Sequence, residues 1–198
     1  MINKEQIMVV PVSYTSHIDN GFTGAISMST DNSYSLYDST GIYEPRYKID
    51  NNICFIKIAI ILIFKKDNKF LVKELINTEK KPCIEMGINS YIKPSSGNYN
   101  ALYNQIKYIL EKDLKLNSSS VNIKFLGHIK DSLNSSVKST LGNIYYIDID
   151  NNTEINSNST IYNYKWYSLM ELVDRYNKGT SWTRHIIDCL LDKKIYIN

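Results

Sequence analysis

The hydrophobic positions of this chain fall into two kinds of pattern. Residues 53–64 (ICFIKIAIILIF) are β-branched and almost continuously apolar, which predicts a strand buried on both faces. A polar turn at 65–69 and a second apolar run at 70–75 complete a predicted hairpin. Residues 7–12 (IMVVPV) read as a short strand that Pro11 confines to an edge or an end. Further strands are expected at 122–129, 143–149 and 162–166. The period changes across 90–116. Turn signals at Pro94, Ser95, Ser96, Gly97 and Asn98 precede Leu102, Ile106, Ile109, Leu110 and Leu114. Their three-and-four spacing places them on one face of a helix. Two helices are expected to close the chain, at 168–176 and 181–191, the first opened by a capping box of Ser168 and Glu171. Residues 13–43 are polar and without a sustained period. They read as a loop-rich excursion, either a functional loop or strands too short to show a pattern. No repeat or linker divides residues 1–198, so the order of elements predicts one α/β domain.

Composition narrows the function classes. With 43% hydrophobic and 22% charged residues the chain is ordinary for a globular protein. A net charge of +3 is far from the concentrated positive patch of a nucleic-acid binder, and the 16 tyrosines are scattered. Cys54, Cys83 and Cys189 have no paired spacing, which argues against a disulfide framework or a zinc site. His17, His128 and His185 likewise lack ligand spacing. The longest apolar run, 58–64, is far short of the ~20 residues that span a bilayer. The N-terminal apolar run is too short for a signal peptide, so a cytoplasmic protein is expected.

Four stretches carry a resemblance to a known family. They are YEPR at 43–46, IEMGINSYIKPSSGNYNALYNQIKYILEKDLKL at 84–116, FLGHI at 125–129, and WYSLMELVDRY at 166–176 followed by Trp182. Together they resemble the Nudix hydrolase superfamily, in its long-loop bacterial branch. Ser90, Tyr91, Ile92, Lys93 and Pro94 fall on the last five places of that branch's Gly-Gly-His-Ile-Asn-Pro loop. The resemblance implies an α/β/α sandwich with a central mixed sheet. It also implies a divalent metal, Mg²⁺ or Mn²⁺, held by glutamates of the loop and helix for hydrolysis of nucleoside diphosphate derivatives.

The catalytic letters depart from the family motif. Placing Leu114, Lys115 and Leu116 on its closing x-Gly-apolar puts Tyr108 at the Arg and Ile109 at the first Glu. Lys112 and Asp113 then fall on the final Glu-Glu pair, and only Asp113 keeps the charge type. Glu111 and Asp113 are spaced i, i+2 and so point to different faces of the helix. Lys107, Glu111 and Lys115 also read as a solvated face with i, i+4 ion pairs. The leading expectation is therefore a degenerate family member without a metal, a non-catalytic binder of a nucleotide or of a protein partner. In it Arg46 binds phosphate, Lys57 or Lys112 supplies charge, and Tyr91 or Tyr108 stacks a base. A local Arg46–Glu44 pair is the competing use of Arg46. One alternative is a metal-dependent hydrolase drawing ligands from Glu74, Glu85, Glu111 and Asp113. Another is a purely structural or partner-binding protein.

Overall fold

The computed structural model describes residues 5–15, 23–27, 33–50, 52, 54–75, 83–97, 99–134, 137, 139–155 and 162–192. His17 and Asn98 lie outside them. Among the described residues ten strands form one mixed sheet. Its central strand β4 (Phe55–Lys66) runs parallel to β9 (Thr140–Asp148), in register from Lys57 opposite Thr140 to Lys65 opposite Asp148. The other pairings are antiparallel. β8 (Asn122–Asp131) follows β9, and β2 (Thr23–Ser27) closes that edge. On the other side β5 (Lys69–Leu75) is joined to β4 by a turn at Asp67 and Asn68, both left-handed at φ 49 and 59, and β10 (Tyr162–Ser168) forms the edge. Asp and Asn are the side chains that most readily accept this backbone in a two-residue hairpin turn.

β5 stays paired with β4 only at the hairpin end, Lys65 with Phe70 and Lys66 with Lys69. Below it the two strands diverge. The fork is filled by β6 (Ile84–Met86) on β5 and β7 (Ile88–Tyr91) on β4. Gly87 turns between them at φ 72, where a Cβ would lie 2.1 Å from the Leu62 carbonyl oxygen, so only glycine passes. This fork carries Glu85, Asn89 and Tyr91 into the sheet. None of it was expected from the hydrophobic pattern, because three- and four-residue strands are too short to show a period.

β4 is buried on both faces, as its continuous apolar run predicts. Ile56, Ile58, Ile60, Leu62 and Phe64 face one core with Leu102, Ile106, Ile109, Leu110 and Leu114, the predicted stripe of α3 (Ala101–Tyr108) and its extension. Ala59, Ile61 and Ile63 face a second core with Trp182, Ile186 and Ile187 of α5 (Ser181–Leu191). Helices on both faces make an α/β/α sandwich. α5 has the predicted bounds. The Ser168–Glu171 capping box is present in both directions at the start of α4 (Leu169–Asp174). α3, in contrast, ends in a π turn over Ile109–Asp113, where Leu114 N–H bonds the Ile109 carbonyl at 3.0 Å.

The excursion at 13–43 is more structured than its polarity suggests. Besides β2 it holds α1 (Ser33–Thr40) and leads into β3 (Ile42–Pro45), which pairs with β1 (Gln6–Pro11). Tyr37 anchors α1 by donating to the Asn143 side-chain oxygen at 2.9 Å in the interior. No described helix is long and apolar enough to cross a membrane.

Candidate functional site

The fork in the sheet faces the start of α5 across a cleft of about 370 Å³. Its floor is Ala59, Asn89 and Tyr91; Thr180, Ser181 and Trp182 form the opposite wall, and Asn134 closes one side. The wall is pinned by short polar contacts. Thr180 accepts the Thr183 N–H and donates its own N–H to Ile84 O at 3.1 Å, and Thr183 Oγ1 receives the Met86 N–H at 2.9 Å. Asn134 Nδ2 donates to Ser181 Oγ at 2.9 Å. Asp131, itself buried, receives the Leu133 and Asn134 N–H groups at 3.1 and 3.0 Å. The site is thus a rigid frame carried by strand and helix ends.

Trp182 is 7% exposed, and its Nε1–H has no hydrogen-bond partner among the described residues. A buried donor left unmade is costly. The indole edge reaches Gly142, where a Cβ would lie 3.4 Å from Trp182 Cη2. The carboxylate in the lining, Glu85, is paired with Lys73 at 3.0 Å. The interior is therefore aromatic, polar and close to neutral.

The sequence-predicted residues separate into two groups. Arg46 and Tyr91 are brought together: the guanidinium, at the start of α2 (Arg46–Ile49), lies 4.9 Å over the tyrosine ring. Glu5 lies 3.9 Å from Arg46 and 3.4 Å from Lys93, so one carboxylate bridges the two cations. The Arg46–Glu44 pair is not formed, because Glu44 turns one helical turn onward to Lys48 at 3.9 Å. Lys57 is buried and its ammonium is bound to Asp50 at 2.7 Å. Tyr108 and Lys112 lie exposed on the α3 segment. Glu111 accepts from Ser118 Oγ at 2.6 Å and sits 3.9 Å from Lys107, the expected i, i+4 pair. Partial desolvation raises the Asp113 carboxyl, against the charges of Lys93 and Lys115. Asp113 and Glu85 also both act on Tyr164, whose hydroxyl is pushed up chiefly by burial. Lys115 adopts φ 60, the left-handed backbone that favours glycine, at the place where the resemblance puts the motif's Gly.

Among the described residues no three His, Cys, Asp or Glu side chains converge as a metal site. Glu74 is committed to Tyr167 and to Lys165, and Glu85 to Lys73.

Two features escaped the sequence reading. Gln105 is a polar residue on the inner face of α3; buried, it receives Ser96 Oγ at 2.7 Å and the Lys93 N–H at 3.3 Å and fastens the 90–97 loop. Its place beside the apolar stripe was a usable signal. Asp38 of α1 receives the Asn100 and Ala101 N–H groups at 2.8 and 3.3 Å and so caps α3 from a distant part of the chain, which no local pattern reveals.

No family sequence model and no curated protein sequence matches the chain. Its fold matches several solved structures. Tm1382, assigned to the Nudix hydrolases, superposes with a TM-score of 0.76 at 15% identity over 96% of this chain and 100% of that one. DR0079 from Deinococcus radiodurans gives 0.54 at 9% identity, over 83% and 97%. A bifunctional NMN adenylyltransferase/ADP-ribose pyrophosphatase from Francisella tularensis gives 0.52 at 12% identity over 82% of this chain and 46% of that one. The same enzyme complexed with AMP and a manganese ion gives 0.50 at 11% identity, over 82% and 47%. These superpositions show that the chain has the Nudix hydrolase fold.

Proposed function

We propose that this chain binds a nucleotide derivative in the Tyr91–Trp182 cleft without hydrolysing it by the metal route. The observation that carries the reading is the cleft itself. It sets two aromatic side chains beside a single carboxylate, Glu85, that is already engaged by Lys73. A neutral planar group such as a nucleobase suits that interior, with Asn89, Asn134 and Ser181 as further hydrogen-bonding groups. Arg46 and Lys93 supply charge for phosphate beside Tyr91, where Glu5 now lies between them. The Francisella enzyme, of which this chain matches 47%, forms a complex with AMP, which makes AMP a suitable first probe.

Calorimetric titration with AMP and ADP-ribose, without divalent metal, tests this. Base stacking on an aromatic ring is worth about 1–3 kcal/mol, so Tyr91→Ala should weaken binding by roughly 5- to 150-fold. Tyr108→Ala and Lys112→Ala, on the exposed α3 segment, should change affinity little. Absence of saturable binding, or wild-type affinity in Tyr91→Ala, would sink the proposal.

A further inference from the structure

A second cleft, of about 270 Å³, lies on the other side of the bridge between Ile84 and Gly179. Glu85 and Thr180 line the first cleft; Cys83 and Lys178 line the second. Lys165 of β10, with Arg175 and Lys178 in the turn after α4, brings three cations to its walls against one carboxylate, Glu74. Glu74 is fully committed: one oxygen accepts from Tyr167 Oη and the other lies 2.6 Å from Lys165 Nζ. Burial alone would raise its carboxyl, but these hydrogen bonds and the charges of Lys165 and Arg175 outweigh it and hold the group below the usual range. That leaves Arg175 and Lys178 with no carboxylate partner among the described residues. Glu171 spends its carboxylate on the N–H and hydroxyl of Ser168, and Asp174, next to Arg175 in the chain and exposed, forms no ion pair with either cation among the described residues.

Arg175 is also held in place. Its guanidinium lies 4.5 Å over the Tyr167 ring, and Nη1 donates to the Glu171 carbonyl at 3.2 Å. Stacking fixes the plane of the fork and leaves other N–H groups directed away from the ring, the form in which arginine binds a planar or tetrahedral oxyanion by two hydrogen bonds. A flexible ammonium nearby adds charge without demanding geometry.

We propose that this cleft is an anion site for a phosphate-type dianion, held by Arg175 and Lys178 and bounded by the Lys165–Glu74 pair. The site is independent of the aromatic cleft and needs no metal. The dianion is either free phosphate or a phosphoryl group borne by a larger ligand.

The test is titration of the ¹⁵N-labelled full chain with inorganic phosphate and, separately, with AMP, against acetate at matched ionic strength. Saturable shifts at 174–178 and 165–167 are expected with phosphate and not with acetate. Lys178→Gln, a change at an exposed side chain, should weaken phosphate binding by about tenfold, the loss of one charge-assisted hydrogen bond. Arg175→Gln should weaken it further, and Tyr91→Ala should leave it unchanged. Equal affinity for phosphate and for AMP at these residues assigns the free ion; tighter AMP binding through the same residues assigns a borne phosphoryl group. Acetate reproducing the phosphate shifts, no saturable shift with either phosphate or AMP, or wild-type affinity in both variants, overturns the proposal.

Discussion

Lys57 and Asp50 form an ion pair whose two ends are unequal. The Lys57 side chain is 3% exposed and that of Asp50 50%, at a separation of 2.7 Å. Lys57 sits in the interior strand β4 between β1 and β9, opposite Val9 and Thr140. Removing one partner of a buried pair costs about 3–5 kcal/mol, because an uncompensated charge stays behind. Asp50→Ala strands the buried end. Its cost should be near the lower limit, about 3 kcal/mol, since half of the carboxylate already lies in water and is screened. Lys57→Met removes the buried charge, keeps the volume of the stem, and leaves a carboxylate that water can solvate. Its effect should stay within about 1 kcal/mol of wild type in either direction. At roughly 2–4 °C per kcal/mol for a chain of this size, Asp50→Ala should lower Tm by ~6–12 °C and Lys57→Met by no more than ~4 °C. The double variant should recover most of the Asp50→Ala loss. Urea unfolding followed by circular dichroism reads these differences as midpoint shifts at constant slope. Equal losses in the two single variants, or a larger loss in Lys57→Met, would refute the reasoning.

Three further outcomes are expected. Asp38→Ala removes the remote cap of α3, whose own N-cap Asn100 sits at φ 51 and makes no side-chain cap; it should cost about 1–2 kcal/mol, with Asp38→Asn recovering part, and an unchanged Tm would contradict it. Gly142→Ala places a Cβ 2.6 Å from Ile129 Cγ2 and 2.9 Å from Ile61 Cδ1, beside the Trp182 ring; overpacking of about 1–3 kcal/mol and weaker AMP binding should appear together, and a variant equal to wild type in both would count against the close packing. Burial, with Asp148 nearby, pushes the Tyr146 hydroxyl up to about 12. An unfolded tyrosine ionises near ~10, so the unfolded chain sheds this proton first; stability present below about pH 10 is lost as pH climbs toward 12. Urea midpoints in that range should fall less steeply in Tyr146→Phe, and an identical slope would remove Tyr146 from the explanation.

What could be read in the sequence was whatever a long period or a local motif encodes. The β4 run, the α3 stripe, the α5 bounds and the Ser168–Glu171 box each arise from residues close along the chain, and each is present. β6 and β7 exist because β4 and β5 diverge and leave a gap to fill, and β2 and β3 because edges of other strands recruit them. Tertiary pairing, not local preference, makes these polar segments extended. The site divides in the same way. Arg46 and Tyr91 were expected separately as site candidates; that the guanidinium lies over the tyrosine ring was not legible. The lysine inside the apolar run was visible too, but not that Asp50 would occupy it. Nor does a sequence show that Glu5, rather than Glu44, would lie beside Arg46, or that the Trp182 N–H would find no acceptor among the described residues.

The most direct measurement is turnover of ADP-ribose and related nucleoside diphosphate derivatives with Mg²⁺ or Mn²⁺, run beside calorimetric binding of the same compounds, for wild type and Asp113→Ala. The expected result is saturable binding that Tyr91→Ala weakens, with no metal-dependent product release from either protein. Metal-dependent hydrolysis by wild type that disappears in Asp113→Ala would contradict the non-catalytic reading and make Asp113 a working ligand.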